Sequence, residues 1–132
     1  MGFVESRILG IKIDESGREV VLSLIDTDGA KFTVQLHGVE RLLVNEVRQQ
    51  NIIEELTHWA RVGESESLRE AAFALMTGVN EKECGAELAA VALNVVDRVV
   101  RGELEVVEIT AVFGAQILAS FASMAVQAAG ER

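Results

Sequence analysis

From residue 109 to residue 130 the chain runs for twenty-two positions without a charged side chain, although the whole protein carries a net charge of −9. Water gains little by solvating such a stretch, so it must be sheltered in a core, in a partner or in lipid. Its length suits a membrane span, which needs about twenty apolar residues. Its composition suits one less well, because Thr110, Gln116, Ser120, Ser123 and Gln127 dilute many alanines and no basic cluster sets an orientation. Burial within the domain or in a subunit interface is the expectation, with no membrane as partner.

The 132 residues suffice for one core and leave little for a second, so a single domain over 1–132 is expected. A chain that is 25% charged yet 49% hydrophobic, with mean hydropathy +0.26, has apolar surface to spare for association. A homo-oligomer is therefore expected. Twenty-one acids against twelve bases repel phosphates and anionic headgroups, which argues against nucleic acid. Cys84 is the one cysteine, and the start Met1-Gly2-Phe3-Val4-Glu5 lacks the basic and long apolar regions of a signal peptide. The expected location is cytoplasmic.

Residues 1–63 read mainly as β. Leu9, Ile11 and Ile13, then Val20, Leu22 and Leu24, then Phe32, Val34 and Leu36 alternate with polar residues, and each set is expected on a buried face. The separators Glu15-Ser16-Gly17 and Asp26-Thr27-Asp28-Gly29 end in glycine, as tight turns require, and predict an antiparallel meander. Val39, Leu42, Leu43 and Val47 then fit a helical face about as well as Leu42 and Val44 fit a strand, and a short strand and a turn are preferred. Residues 51–59, where Ile52, Leu56 and Trp59 sit at helical spacing, are read as a strand because a meander needs further strands to cover its edge.

Residues 64–102 predict a helical hairpin. Ser67-Leu68-Arg69-Glu70 has the form of a capping box, Gly78 suits a left-handed helix end, and Asn80 to Glu83 repeats the start signal. Leu88, Val91, Ala92, Val95 and Val99 then form one continuous stripe expected to face the core. Residues 103–132 read as a strand, with Leu104, Val106 and Glu108 on one side, followed by the uncharged segment. Within that segment Phe113, Ile117, Phe121 and Met124 favour a helix over a bulged strand. The fold class is α+β: an antiparallel β-meander sheet with a helical hairpin and a C-terminal buried segment that self-associates.

No constellation specifies a reaction. Asp26-Thr27-Asp28-Gly29 opens like a calcium loop, but the twelfth position is His37 where a bidentate glutamate is required. Glu55-Leu56-Thr57-His58 matches half of a di-metal motif whose other ligands are missing, and on a strand residues three apart face opposite sides. Cys84, at the start of a predicted helix among Glu81, Glu83 and Glu87, has no neighbouring base and reads as a buried small hydrophobe more than as a nucleophile. A helix-turn-helix is disfavoured, since the second helix opens with those same acids where a recognition helix carries basic and amide side chains. No cofactor, metal or catalytic residue is expected.

The stretch Phe32-Thr33-Val34-Gln35-Leu36-His37-Gly38-Val39-Glu40-Arg41-Leu42, followed by Asn51-Ile52-Ile53, resembles small uncharacterised bacterial β-meander proteins, some of them immunity-protein-like. Residues 108–115 resemble a later segment of the same pattern but lack its proline. The resemblance implies β structure in the middle region and, through its immunity-like members, toxin neutralisation; it supplies no catalytic residue. With the acidic charge it favours a non-enzymatic protein-interaction module engaging a basic protein partner. The competing class is a small-molecule binder or enzyme with a pocket between sheet and helices, where His37, His58, Trp59 and Cys84 would converge.

Overall fold

The chain's computed structural model describes residues 3–46, 51–112 and 114–128. The three alternating segments form strands β1 (Arg7–Ile13), β2 (Glu19–Ile25) and β3 (Lys31–His37), each antiparallel to the next. Asp26 Oδ1 accepts the N–H groups of Asp28 and Ala30, so the calcium-like tetrapeptide is a self-satisfied turn. The phase expected for β1 is corrected. A bulge between Ile8 and Gly10 turns Ile8 into the core and leaves Leu9 and Ile13 about half exposed, because one irregular position shifts the faces of the strand.

Strands β4 (Arg41–Asn45) and β5 (Asn51–Trp59) follow, then helices α1 (Glu66–Thr77) and α2 (Ala86–Val100), and then strands β6 (Glu105–Ala111), β7 (Gln116–Phe121) and β8 (Ser123–Ala128). Among the described residues, the eight strands make one antiparallel sheet in the order β4-β7-β6-β5-β1-β2-β3-β8, and the two helices pack on it, an α+β arrangement. The helix expected over residues 113–127 is therefore corrected to strands. Phe113 and Val47 lie outside the described residues. Ile117, Phe121 and Met124 fit a helical period, but Ile117, Ala119 and Phe121 also alternate, and pairing with β6 and β4 decides between the two.

The order contains a geometric constraint. In a flat sheet β7 and β8 would lie six strand spacings apart, about 29 Å, yet Ala122 alone separates them in sequence and spans roughly 7 Å. The same holds for β3 and β4. The sheet must coil until β3–β4 and β7–β8, two long bent strands, pair with each other along their length: β3 with β8 and β4 with β7. At the bends Ala122 N–H donates to His37 O (2.8 Å) and Glu40 N–H to Ser120 O (2.9 Å). Gly38 sits there at φ 67°, and a Cβ on it would come within 2.9 Å of the Ala122 Cβ.

Coiling brings inward-facing residues of β1, β2, β3, β5, β6 and β7 into one core that includes Leu22, Phe32, Val34, Ile53, Ile109, Ile117 and Phe121. On the outer face of β4, β7, β6 and β5, Leu43, Leu118, Val106 and Trp59 pack against Leu68, Ala72 and Leu75 of α1 and Val95, Val96 and Val99 of α2. Strands β6 and β7 are thus covered on both faces, which accounts for the part of the charge-free run that lies within them, residues 109–111 and 116–121.

The helix starts differ from expectation. Ser65, two residues before Ser67, caps α1 by accepting the Leu68 N–H. Asn80 caps only a single 3-10 turn over Glu81–Glu83, and α2 begins after Gly85 with no side-chain cap. Gly78 closes α1 in the left-handed conformation, as its position implies. Near the end of α2, Arg98 forks onto Glu40 beside the strand bend, with both N–H···O distances 2.8 Å. That hydrogen bond holds the Glu40 carboxyl below its ordinary value.

Gly38→Ala is expected to destabilise the protein by about 2 kcal/mol or more, combining the left-handed strain with the collision at Ala122. Gly29→Ala, at φ 85° in open space, suffers only the strain, about 1 kcal/mol. Urea titrations of both, and of Gly38→Ala with Ala122→Gly, separate the two costs. Arg98→Ala should remove about 1 kcal/mol, since both partners remain partly exposed. Because the Glu40 pKa is depressed on folding, this contribution is present above its unfolded pKa and is lost as pH falls through the lower folded value. The gap between wild type and Arg98→Ala in thermal melts should therefore close at acid pH.

Candidate functional site

Residues 64–87 hold six acids, Glu64, Glu66, Glu70, Glu81, Glu83 and Glu87, against Arg69 and Lys82, and so carry −4 of the net −9 in less than a fifth of the chain. The fold brings Glu64, Glu66, Glu70 and Glu81 around Arg69, because the 3-10 turn at Glu81 returns alongside the first turns of α1, while Glu83 and Glu87 follow in the approach to α2. Arg69 is the clasp: its Nη2 donates to Glu81 Oε2 at 2.6 Å and its Nη1 to Glu64 Oε1 at 3.5 Å. The hydrogen bond to Glu81, with the charges of both glutamates, makes the guanidinium hold its proton more tightly than usual. Glu66, Glu70, Glu83 and Glu87 form no ion pair among the described residues. A cleft of about 560 Å³ opens here, lined by Glu66, Arg69, Glu70, Phe73, Asn80, Glu81 and Lys82.

Immediately after these acids in sequence the apolar stripe of α2 outruns the core. Ala92, Val95 and Val99 are buried as expected, but Leu88 is 51% and Val91 43% exposed, and no residue from Gly85 to Val91 is buried. The expectation that the whole stripe faces inward is corrected at its first two members. Glu87, four residues before Val91, lies on the same side of the helix. Apolar side chains at helical spacing, bordered by unpaired carboxylates, can bury area against a partner while orienting it by charge.

The residues proposed for a convergent pocket have separate surroundings. His37 Nδ1 meets Glu19 Oε2 at 2.8 Å on the exposed β2–β3 ladder. His58 Nε2 meets Glu105 Oε1 at 2.7 Å, and its ring stacks on Phe121 with centroids 5.9 Å apart. Trp59, next in sequence, joins the helix-facing core, and the Cys84 thiol donates to the Gly85 carbonyl (3.3 Å) in the linker before α2. No hydrogen bond, ion pair or ring contact joins any two of the four among the described residues. Glu55 of the Glu-x-x-His motif accepts from Thr57 and not from His58. No group of three or more His, Cys, Asp or Glu side chains is arranged to hold a metal among the described residues, and no helix there is long and apolar enough to cross a membrane.

Comparison with protein-family models finds no match, and comparison with curated proteins finds no significant one. Leu88 and Val91, like Leu9 and Ile13 of β1, are expected from the sequence to be buried and are found exposed; for Leu88 and Val91 the signal available was the cluster of acids immediately before them, which a buried helix end would not tolerate.

Replacing Leu88 and Val91 together by Gln should change stability by no more than about 0.5 kcal/mol, as for surface positions. Val95→Ala, five per cent exposed in the helix-facing core, should cost about 1–3 kcal/mol. Chemical denaturation of both variants tests whether the exposed end of α2 is free of structural duty.

Proposed function

We propose that the protein is a non-enzymatic interaction module that binds a basic protein partner at the acidic end of its helical layer. The observation that carries this reading is the uncovered start of the α2 stripe, Leu88 and Val91, with Glu83 and Glu87 next to it. Docking would bury the exposed halves of both side chains, worth roughly 1 kcal/mol each. The carboxylates supply long-range attraction and orientation. A partner segment that is lysine- or arginine-rich and carries apolar residues at helical spacing fits both parts. The acids also disfavour a second copy of this chain at this surface, since like charges would face each other.

The narrower version of this reading is neutralisation of a basic toxin, which the resemblance of residues 32–53 to immunity-like β-meander proteins supports. The reading places the module in the cytoplasm, consistent with a single cysteine.

Titration with a synthetic lysine-rich amphipathic helical peptide, followed by fluorescence anisotropy, tests the proposal. Binding should weaken as salt rises and fall at least tenfold in Leu88→Gln/Val91→Gln and in Glu83→Lys/Glu87→Lys. Absence of binding, or affinity untouched by both double variants, would reject it.

A further inference from the structure

We propose that strand β8 is the contact through which two copies of this chain pair, edge to edge and antiparallel, about a two-fold axis at Ala125. This inference concerns a different part of the molecule from the helix end and stands independently of the function proposed above.

The two ends of the strand order are treated differently. β4 carries Arg41, is flanked by Glu40 and Glu46, and has α1 packed beside it. Charges and covering elements are how natural proteins protect an edge from strand addition. β8 reads Ser-Met-Ala-Val-Gln-Ala, with no charge and no proline. Among the described residues it pairs with β3 alone. Among the described residues no strand covers its other side, for a topological reason: β6 begins at Glu105, opposite Phe121, so the strand that flanks β7 on that side ends where β8 starts. In an antiparallel ladder alternate residues direct N–H and C=O to opposite sides, so part of the β8 backbone faces away from β3.

The side chains identify the occupant. Val126 is opposite Val34, which is fully buried, yet Val126 is 43% exposed, and Met124 packs only partly against the core. The inner face of β8 is therefore an incomplete continuation of the core. A register centred on Ala125 sets Met124 of one copy beside Val126 of the other, completing that face on both. It sets Ser123 opposite Gln127, and Ala125 opposite itself. No pair contains a charge, so two molecules each carrying −9 meet along a strand that contributes none of it. A charged partner finds nothing on β8 to recognise, whereas a second copy matches it at every position, as an isologous contact requires.

Light scattering of the full chain across a dilution series tests the proposal. The wild type should reach twice 14.3 kDa at the concentrated end. Ala125→Lys and Ala125→Glu, both on an exposed position and each folded by circular dichroism, should stay at the single-chain mass, because the axis places like charges opposite each other. Mixed in equal amounts, the two variants should regain the doubled mass through a Lys–Glu pair. Wild type at the single-chain mass throughout, or Ala125→Lys retaining the doubled mass, would overturn the edge contact. A mixture that remains single while the wild type dimerises would overturn the Ala125 register. Leu88→Gln/Val91→Gln should dimerise like the wild type, and loss of dimer there would overturn the choice of β8.

Discussion

Pairing of one bent strand with another, β3–β4 along β7–β8, is the interaction on which the rest of the structure depends. A short connection of one residue at Ala122 and of three at residues 38–40 forces the sheet to coil, and the two bends meet where Gly38 lacks the Cβ that would strike Ala122. Once the sheet is coiled, the inward faces of six strands share one core, and the outward faces of β4 to β7 become the floor for the helices. Arg98 ties that second layer back to the bend through Glu40.

Charge is partitioned by the same geometry. Strands β6 and β7 lie between core and helices, so their buried positions are apolar apart from Ser120, and the half-buried polar ones are satisfied locally, as where Gln116 donates to Glu108 at 2.7 Å. The acids of residues 64–87 lie on the exposed side of the helical layer, where Arg69 clasps two of them and the remainder face water. The outcome is two exposed features of opposite character: an acidic segment leading into an apolar helix start, and an uncharged strand edge. The histidines, Trp59 and Cys84 are each engaged in separate local contacts.

Much of this was legible from residue order. Alternation in β2 and β3, with Gly17 and Gly29 at the turns, specified a meander because a period of two and a left-handed turn residue are local properties. The helical segments were visible in their period, but Ser65 outcompeted Ser67 as the cap, and Asn80 was spent on a 3-10 turn, because several polar residues offered nearly equivalent starts. In β1 the bulge near Gly10 turned Ile8 inward and Leu9 outward while Ile11 kept its place against the core, and no local pattern announces a bulge.

The sequence by itself determined that the N-terminal half must be strands, since backbone period acts within a short window, whereas the shelter expected for the whole of residues 109–130 holds at Ile109, Ala111 and residues 117–121 and fails at Val112, Ala125 and Val126, which are exposed. Tertiary structure alone decided that the sheltered run is strand and not helix, that its β7 half completes its own core while its β8 half lies at an edge, and that Leu88 and Val91 emerge from cover. Each of those outcomes depends on which distant strand or helix arrives alongside and how far it extends, and a partner's length is not encoded in the segment it covers.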